Sequence, residues 1–347
     1  MRFIIGTGPT CPIVMAVKAR APFAIPIADE DLNRLERRLR REVLRDDPFL
    51  DELATHLIDA GGKRLRPRLS LAAASISEAP LTEKTLLGAV SVELVHLASL
   101  YHDDVIDEAE RRRNVISVNA KWGNLLAIVA GDFLLARSAE IAASLGTEVA
   151  SLLASTLARL CQGQIAEVKD AYRIDRSETD YLAAIAGKTA ALMATACRIG
   201  GITAGLDREQ INLLTTYGES LGMVFQIRDD VFDVIASDTE LGKVPAQDLA
   251  EGVYTLPVLR ALGDPTIGAE LRGLLGGPLS PAEIIQARLL IGRSHGIVAA
   301  TDVAREFAQQ ACKAAAALGP FPIAESLSSY ALGLIDELER STQALAS

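Results

Sequence analysis

From about residue 29 onward, apolar residues recur at the spacing of an amphipathic α-helix, and the alternation typical of half-buried strands is nearly absent. Leu, Ala, Glu and Arg, which favour helix, supply most of this pattern. The periodicity predicts helices over residues 30–45, 48–60, 67–77, 82–108, 124–144, 147–171, 177–199, 207–236, 254–262, 280–293, 295–317 and 321–342. We therefore predict an all-α fold.

The stretches between these helices are rich in glycine and proline, but none is long enough to be an interdomain linker. The longest predicted helices are apolar over much of their circumference, as expected inside a large bundle. No repeat of solenoid length recurs. We therefore predict one domain over residues 28–347, preceded by a flexible extension at residues 1–27.

Bulk composition restricts the function. Hydrophobic residues make up 49% of the 347 residues, which is ample for a large core. There are 35 Lys and Arg against 45 Asp and Glu, a net charge of -10 that argues against nucleic acid as the main partner. Four scattered cysteines and the lack of a long uncharged apolar run predict a cytoplasmic protein.

The motif D-D-x-x-D occurs twice, at Asp103, Asp104 and Asp107 and again at Asp229, Asp230 and Asp233. Residues four apart project from one helical face, so each motif presents a pair of carboxylates. A single acidic motif on a helix is most often a solvated face. Both copies, however, lie within apolar sequence, where like charges are costly unless they are paired or metal-bound. Because Mg²⁺ prefers carboxylate, water and phosphate oxygens, the two motifs predict a polyphosphate site.

Basic residues are concentrated in two segments, 61–68 and 111–113. Each begins beside a predicted helix end, and the glycine pair that opens the first would let the backbone approach an anion. Arginine can add bidentate contacts to phosphate oxygens. The alternative is a surface cluster that balances nearby acids. Two basic segments together with two acidic motifs favour phosphate binding.

Other polar side chains sit within apolar helices. His96 shares one helical stripe with Asp103 and Asp107, where it could donate to a phosphate. Lys188 needs an anionic partner, and a diphosphate would supply one. The sequence around it is not a P-loop, since it lacks the preceding glycine and strand. A di-iron carboxylate bundle is disfavoured because Glu93–His96 is the only Glu-x-x-His pair of that kind.

Taken together, these motifs resemble the trans-type polyprenyl diphosphate synthases over about residues 45 to 340. The matching segments are 61–67, 93–96, 102–107, 112–113, 131–132, 188–189, 226–233 and 242–243. The resemblance implies the isoprenoid-synthase bundle, with about 10–13 helices around a central cavity, and a homodimer. It also implies a reaction: Mg²⁺-assisted ionisation of an allylic diphosphate, condensation with isopentenyl diphosphate and loss of a proton.

The resemblance further implies roles for individual residues. Isopentenyl diphosphate would be held by Lys63, Arg66, His96 and Arg113. The allylic diphosphate would be held by Arg112, Lys188, Thr189, Gln226 and Lys243. Three Mg²⁺ ions would be held by Asp103, Asp107, Asp229 and Asp233, which together with Lys188 form the catalytic set. The chain departs from the family pattern at Asn114, Ile116 and Val253.

Product length is predicted from the residues before the first motif. In short-chain relatives bulky aromatic side chains there close the hydrocarbon site, whereas this chain has Val95, Ala98 and Ser99. We therefore expect a medium-to-long polyprenyl product, as in a quinone side chain, and at most peripheral membrane contact when it is released. The alternatives are a geranylgeranyl or farnesyl diphosphate synthase, a terpene cyclase, and a silent subunit of a heteromeric synthase.

Overall fold

The computed structural model describes residues 25–235 and 246–346, and these are almost entirely helical. Their sixteen α-helices are α1 (Asp29–Val43), α2 (Pro48–Asp59), α3 (Leu65–Ala74), α4 (Glu83–Ile106), α5 (Val118–Trp122), α6 (Asn124–Leu145), α7 (Thr147–Lys169), α8 (Glu178–Ile185), α9 (Ala191–Thr203), α10 (Arg208–Ile235), α11 (Gln247–Ala250), α12 (Leu256–Leu262), α13 (Gly268–Leu274), α14 (Pro281–Arg293), α15 (Gly296–Ala317) and α16 (Pro322–Ala346). A two-stranded antiparallel hairpin pairs β1 (Arg111–Arg112) with β2 (Val115–Ile116).

The predicted all-α fold is confirmed, and every predicted helix is present. The helix count exceeds the expected 10–13 because α5, α11 and α13 have only 5, 4 and 7 residues, too few to show a period. The helix predicted over residues 177–199 is divided by a π-helical segment, Ala186–Ala190, that joins α8 to α9. Such segments are frequent at functional sites.

Two hydrophobic cores share α4. Val92 and Val95 of this helix lie in the larger core, formed mainly by α9, α10, α15 and α16. Leu94 and Leu97 lie in the second core with α1, α2 and α6. All four side chains are at most 2% exposed. Because α4 is buried on both sides, the polar residues near its end are held by a rigid support.

The last residues of the predicted N-terminal extension pack against the two cores. Ile25 is 1% exposed in the larger core, and Ile27 packs against both cores. Most of the predicted extension, residues 1–24, lies outside the described residues.

One continuous helical stretch, Glu178–Thr203, is long and apolar enough to cross a membrane, but 67% of its apolar window is buried inside the protein. This burial is what a central helix of a bundle requires.

Candidate active site

The two aspartate motifs lie at the carboxyl ends of α4 and α10. Asp103 is in the last turn of α4 and Asp107 is its C-cap, and the Asp107 N–H donates to the Asp103 carbonyl at 2.8 Å. Asp229 and Asp233 occupy the last two turns of α10. Helix carboxyl ends carry partial negative charge, which adds to that of the carboxylates. Both ends are therefore suited to bind cations.

Glu251, the C-cap residue of α11, lies within electrostatic range of both motifs. Burial raises the pKa of Glu251, a hydrogen bond from Gln247 opposes this, and Asp107 and Asp233 raise it further. Because such effects fade over about 10 Å, carboxylates of both motifs must lie near this side chain. We call this group the acidic cleft; its members are Asp103, Asp107, Glu167, Asp229, Asp233, Asp248 and Glu251.

Lys188 links the first motif to α7. Burial lowers the pKa of Lys188, but Glu167, Asp103 and Asp107 more than offset this, so the pKa is raised and the side chain stays an ammonium. Its Nζ donates to the Glu167 carboxylate. A Cβ on Gly163 would lie 2.5 Å from the Lys188 backbone nitrogen, so only glycine allows α7 this close to the π-helical segment.

Asp103 itself is half-buried. Burial raises its pKa to about 6, Lys188 opposes this shift, and Asp107 adds to it. Burial makes this carboxyl costly to ionise, and a bound cation would favour its ionised form, as expected for a metal ligand.

The middle aspartates are buried and hold substrate-binding candidates through hydrogen bonds. Asp104 is fully buried, and one of its oxygens accepts from Arg112 Nε and Nη2 at 2.6 Å. Asp230 accepts from Tyr181 Oη at 2.5 Å and from Gln226 Nε2 at 2.7 Å. The Gln226 carbonyl oxygen in turn accepts from Thr189 Oγ1 at 2.7 Å. The structure therefore connects three of the predicted allylic-site residues, Arg112, Gln226 and Thr189, to the motifs.

The end residues of the second motif already have protein partners. Asp229 accepts from Arg228 at 2.7 Å; burial raises its pKa, and Arg228 and then Lys63 oppose this. Lys63, predicted for isopentenyl diphosphate, thus lies within electrostatic range of the second motif. Asp233 caps α11, since its two oxygens accept from the Gln247 and Asp248 backbone N–H groups at 3.2 Å.

A buried basic group lies beside the first motif. Arg113 donates to the Leu57 carbonyl at 3.0 Å, and a Cβ on Gly62 would lie 2.8 Å from its guanidinium carbon. The Arg66 Nε is buried and has no hydrogen-bond partner within residues 25–235 and 246–346. Burial, together with Arg66 and Arg113, lowers the pKa of His96 well below its usual range. The group therefore presents a spare guanidinium donor and a neutral imidazole to an anion.

Arg64 organises this basic group although its role was not predicted. It holds a left-handed backbone conformation (φ 49°) at the N-cap of α3. Its guanidinium donates to Glu36 at 2.7 Å and to Glu93 at 3.1 Å. Burial raises the pKa of Glu93, while Arg64 and Arg66 oppose that rise. Glu93, the first residue of the Glu-x-x-His pair, thus anchors Arg64.

Among the residues that the structure describes, no three His, Cys, Asp or Glu side chains form a ready metal site. The donor set nevertheless fits Mg²⁺, which typically takes only one or two carboxylates and completes its shell with water and substrate phosphate. Burial raises the pKa of Asp248 well above its usual range, and Asp230 and Asp233 raise it further. A cation would relieve this repulsion.

The stripe that descends from the first motif along α4 consists of small and apolar residues. Ser99 is half-buried and donates to the His96 carbonyl at 2.8 Å, and Val95 lies one turn deeper in the larger core. Ala98 belongs to the second core and has no exposure, so it does not share this face. Lys243 lies outside the described residues.

Three cleft carboxylates, Glu167, Asp248 and Glu251, were not predicted. None belongs to a repeated motif, and the only signal was the acidic pair Asp248 and Glu251 shortly after the second motif.

Comparison with known proteins identifies the family. The polyprenyl synthetase family profile matches residues 47–287. A nonaprenyl diphosphate synthase from Mycobacterium tuberculosis is 40% identical over 280 residues, covering 80% of this chain and 84% of the relative. Heptaprenyl diphosphate synthase component 2 from Geobacillus stearothermophilus is 41% identical over 269 residues, covering 77% and 83%.

A solved structure gives the same result for the fold. The polyprenyl synthase from Caulobacter crescentus, complexed with calcium and isoprenyl diphosphate, has a TM-score of 0.83 and 32% identity, covering 88% of this chain and 94% of that one. The chain therefore belongs to the polyprenyl synthetase family, as a trans-type polyprenyl diphosphate synthase that resembles the medium- and long-chain members.

Proposed function

We propose that this enzyme lengthens an allylic diphosphate by repeated condensation with isopentenyl diphosphate and releases a medium-to-long polyprenyl diphosphate. The acidic cleft carries the proposal, because Asp107 of one motif and Asp233 of the other both act on Glu251. Two acidic motifs beside buried arginines supply partners for cations and for the phosphates of two substrates.

The cleft would hold three Mg²⁺ ions through Asp103, Asp107, Asp229 and Asp233. The polyprenyl synthase from Caulobacter crescentus is complexed with calcium and isoprenyl diphosphate, which supports the use of a divalent ion. Once bound, Mg²⁺ supplies positive charge that stabilises the departing pyrophosphate. Asp233 would share its carboxylate between this role and the cap of α11.

Arg112, Lys188, Thr189 and Gln226 would bind the allylic diphosphate, with Lys243 as a further predicted contact. Arg112 is already oriented by Asp104, so little ordering is needed when the phosphate arrives. Lys188 would exchange part of its contact with Glu167 for a phosphate oxygen. Both cations then face the charge that develops as the allylic C–O bond breaks.

Lys63, Arg66, His96 and Arg113 would bind isopentenyl diphosphate. The unpartnered Nε of Arg66 supports this role, since a phosphate oxygen would satisfy it. His96 would act as a neutral donor because its pKa is lowered. The isopentenyl double bond attacks the allylic cation, a C–C bond forms, and the proton released goes to pyrophosphate.

The homodimer remains a proposal, and the exposed apolar face of α6 and α7 supports it. Leu125, Ile128 and Val129 of α6 are 74%, 43% and 53% exposed, and Ile165 and Val168 of α7 are 67% and 59% exposed. Apolar residues grouped on neighbouring helices are typical of an interface between copies. Light scattering of the purified chain would give a monomer mass if this is wrong.

A second candidate is a heteromeric synthase, because one relative is named component 2. In that case the purified chain alone would be inactive. The proposal of a self-sufficient enzyme rests on its retaining both aspartate motifs and the basic group.

We further propose a cytoplasmic location and a single domain from residue 28 onward. Three free thiols, Cys161, Cys197 and Cys312, suit a reducing compartment, and the shared helix α4 suits one domain.

The deciding experiment is incubation of the purified chain with Mg²⁺, labelled isopentenyl diphosphate and allylic primers of different length. Chromatography of the dephosphorylated products should show chains longer than geranylgeranyl. A farnesyl or geranylgeranyl end product would overturn the assigned length, and an absence of any condensation would overturn the proposed reaction for the chain alone.

A further inference from the structure

A basic surface lies at the end of α4 opposite the aspartate motifs. Four arginines of α1 line a depression there together with Glu83 and Leu86 from the start of α4. These arginines, Arg34, Arg37, Arg38 and Arg41, are called the α1 arginine surface below. Residues 34–45 contain six arginines and two glutamates, although the whole chain has a net charge of -10. The positive charge is therefore a local feature of an acidic protein.

The surface combines fixed arginines with available ones. Ion pairs to carboxylates of α1 and α4 hold Arg34 to Asp31 and Glu83, and Arg38 to Glu42 and Glu83. Arg37 and Arg41 are exposed, and neither has a hydrogen bond or ion pair with the part of the chain that the structure describes. Their charge is therefore directed to an outside partner.

The shape of the surface favours an extended partner over a small ion. Arg37 and Arg41 lie one turn apart on the same face of α1, and Leu44 follows as the C-cap residue, so the row is about 10 Å long. Leu44 is 39% exposed, and Phe49 at the start of α2 is 50% exposed. A row of exposed arginines with apolar side chains at its end is the composition that binds an anionic membrane interface.

The position of the surface relates it to the product. Glu83 and Asp103 are twenty residues apart on α4, which is about 30 Å. The hydrocarbon is proposed to start at the aspartate motif and to grow past Ser99 and Val95, which is toward the start of α4. The α1 arginine surface thus lies at the end of the bundle toward which the product lengthens.

We propose that the α1 arginine surface binds the anionic phospholipid headgroups of the membrane that receives the polyprenyl product. This inference rests on the proposed function for the direction of chain growth. Because the rest of the protein is acidic, binding through this surface alone would present one defined end of the bundle to the membrane.

Vesicle binding of the full chain tests the proposal. The protein should co-sediment with vesicles of phosphatidylcholine and phosphatidylglycerol, and not with phosphatidylcholine alone. The double variant Arg37→Gln, Arg41→Gln should bind roughly twenty- to thirty-fold more weakly, since each arginine near an anionic surface contributes about a factor of five. The control Arg272→Gln, Arg293→Gln removes two exposed arginines from α13 and α14 and should bind like the parent.

Two further measurements separate the possible failures. Sodium chloride and sodium phosphate at equal ionic strength should release the protein from vesicles equally; stronger release by phosphate would assign the surface to a free anion and overturn the proposal. Condensation activity without vesicles should be the same in all three proteins. If the chain is active but does not bind anionic vesicles, the proposed membrane surface is wrong and the proposed function stands. If the chain binds anionic vesicles but is inactive, the proposed function is wrong and the membrane surface stands.

Discussion

The two aspartate motifs share the sequence pattern D-D-x-x-D but have different structural surroundings. In the first, the middle carboxylate Asp104 is paired with a charged guanidinium, that of Arg112. In the second, the middle carboxylate Asp230 is held by two neutral groups, Tyr181 and Gln226. Burial raises the pKa of Asp230 to about 7, although these hydrogen bonds oppose the shift. The repeated motif therefore encodes one ion pair and one neutral hydrogen-bond network.

The outer residues differ as well. Asp107 is exposed at the end of α4, whereas Asp233 is anchored to the backbone of α11. One turn before the motif, α4 carries the small Ser99 and α10 carries the bulky Phe225. We call the first motif the open side of the acidic cleft, because Asp107 is exposed and Ser99 is small, and the second motif the closed side, because Asp233 is bound to α11 and Phe225 is bulky.

The largest effect is expected from the open side. Asp103→Ala removes a half-buried carboxylate that we propose binds Mg²⁺ and for which we expect no substitute, so turnover should fall by roughly a thousand-fold, as for loss of a main electrostatic group in other enzymes. Steady-state incorporation of labelled isopentenyl diphosphate measures this, with circular dichroism to check folding. Asp336→Ala, an exposed acid on α16, is the matched control. Substantial activity in Asp103→Ala would contradict the metal assignment.

The middle aspartates should differ in stability. Asp104→Asn leaves the Arg112 guanidinium without its countercharge, which should lower the free energy of unfolding by about 3 kcal/mol. Asp230→Asn keeps a neutral partner for Tyr181 and Gln226 and removes a carboxyl that burial makes costly to ionise, so it should raise the free energy of unfolding at neutral pH rather than lower it. Urea unfolding at neutral pH compares the two. Equal losses would show that the two networks are electrostatically alike.

The same pair makes a pH prediction. The folded chain protonates Asp230 near pH 7, and the unfolded chain only near 3.8. The folded state therefore binds more protons between these values, and this carboxyl contributes stability that is present at low pH and lost as the pH rises through 7. Asp230→Asn should remove that contribution and Asp104→Asn should not. Unfolding curves measured over this range decide between them.

The space available to the growing hydrocarbon chain, and hence the product length, should depend on the residues of α4 and not on those of α10. Ser99→Phe places an aromatic ring one turn below Asp103 and should shorten the product by several isoprene units, while condensation continues. Phe225→Leu, the matched change below Asp229, should leave the length unchanged. Chromatography of the dephosphorylated products measures the chain length made by each variant. If Phe225→Leu lengthens the product, the tail also passes α10 and the contrast between the two helices fails.

Residues within long periodic helices can be recognised from the sequence, whereas contacts between distant segments cannot. Asp103, Lys188 and Gln226 could be proposed from the sequence because each lies in a motif within a strongly periodic helical segment. Glu167 could not, because its role exists only where Gly163 lets α7 approach the π-helical segment. The cap on Asp233 was missed for a similar reason, since α11 is four residues long and has no period. Long helices carry their own signal, whereas contacts between distant segments do not.

The smallest effect on activity is expected at Glu251, which is close to both motifs. Glu251→Gln removes one negative charge from the cleft without removing a proposed ligand, so about three-fold more Mg²⁺ should be needed for half-maximal activity, with little change in kcat. Titration of activity with Mg²⁺ measures this shift. Glu325→Gln, an exposed acid at the start of α16, controls for net charge. An unchanged requirement would mean that the motifs act as separate sites, and the common cleft would have to be abandoned.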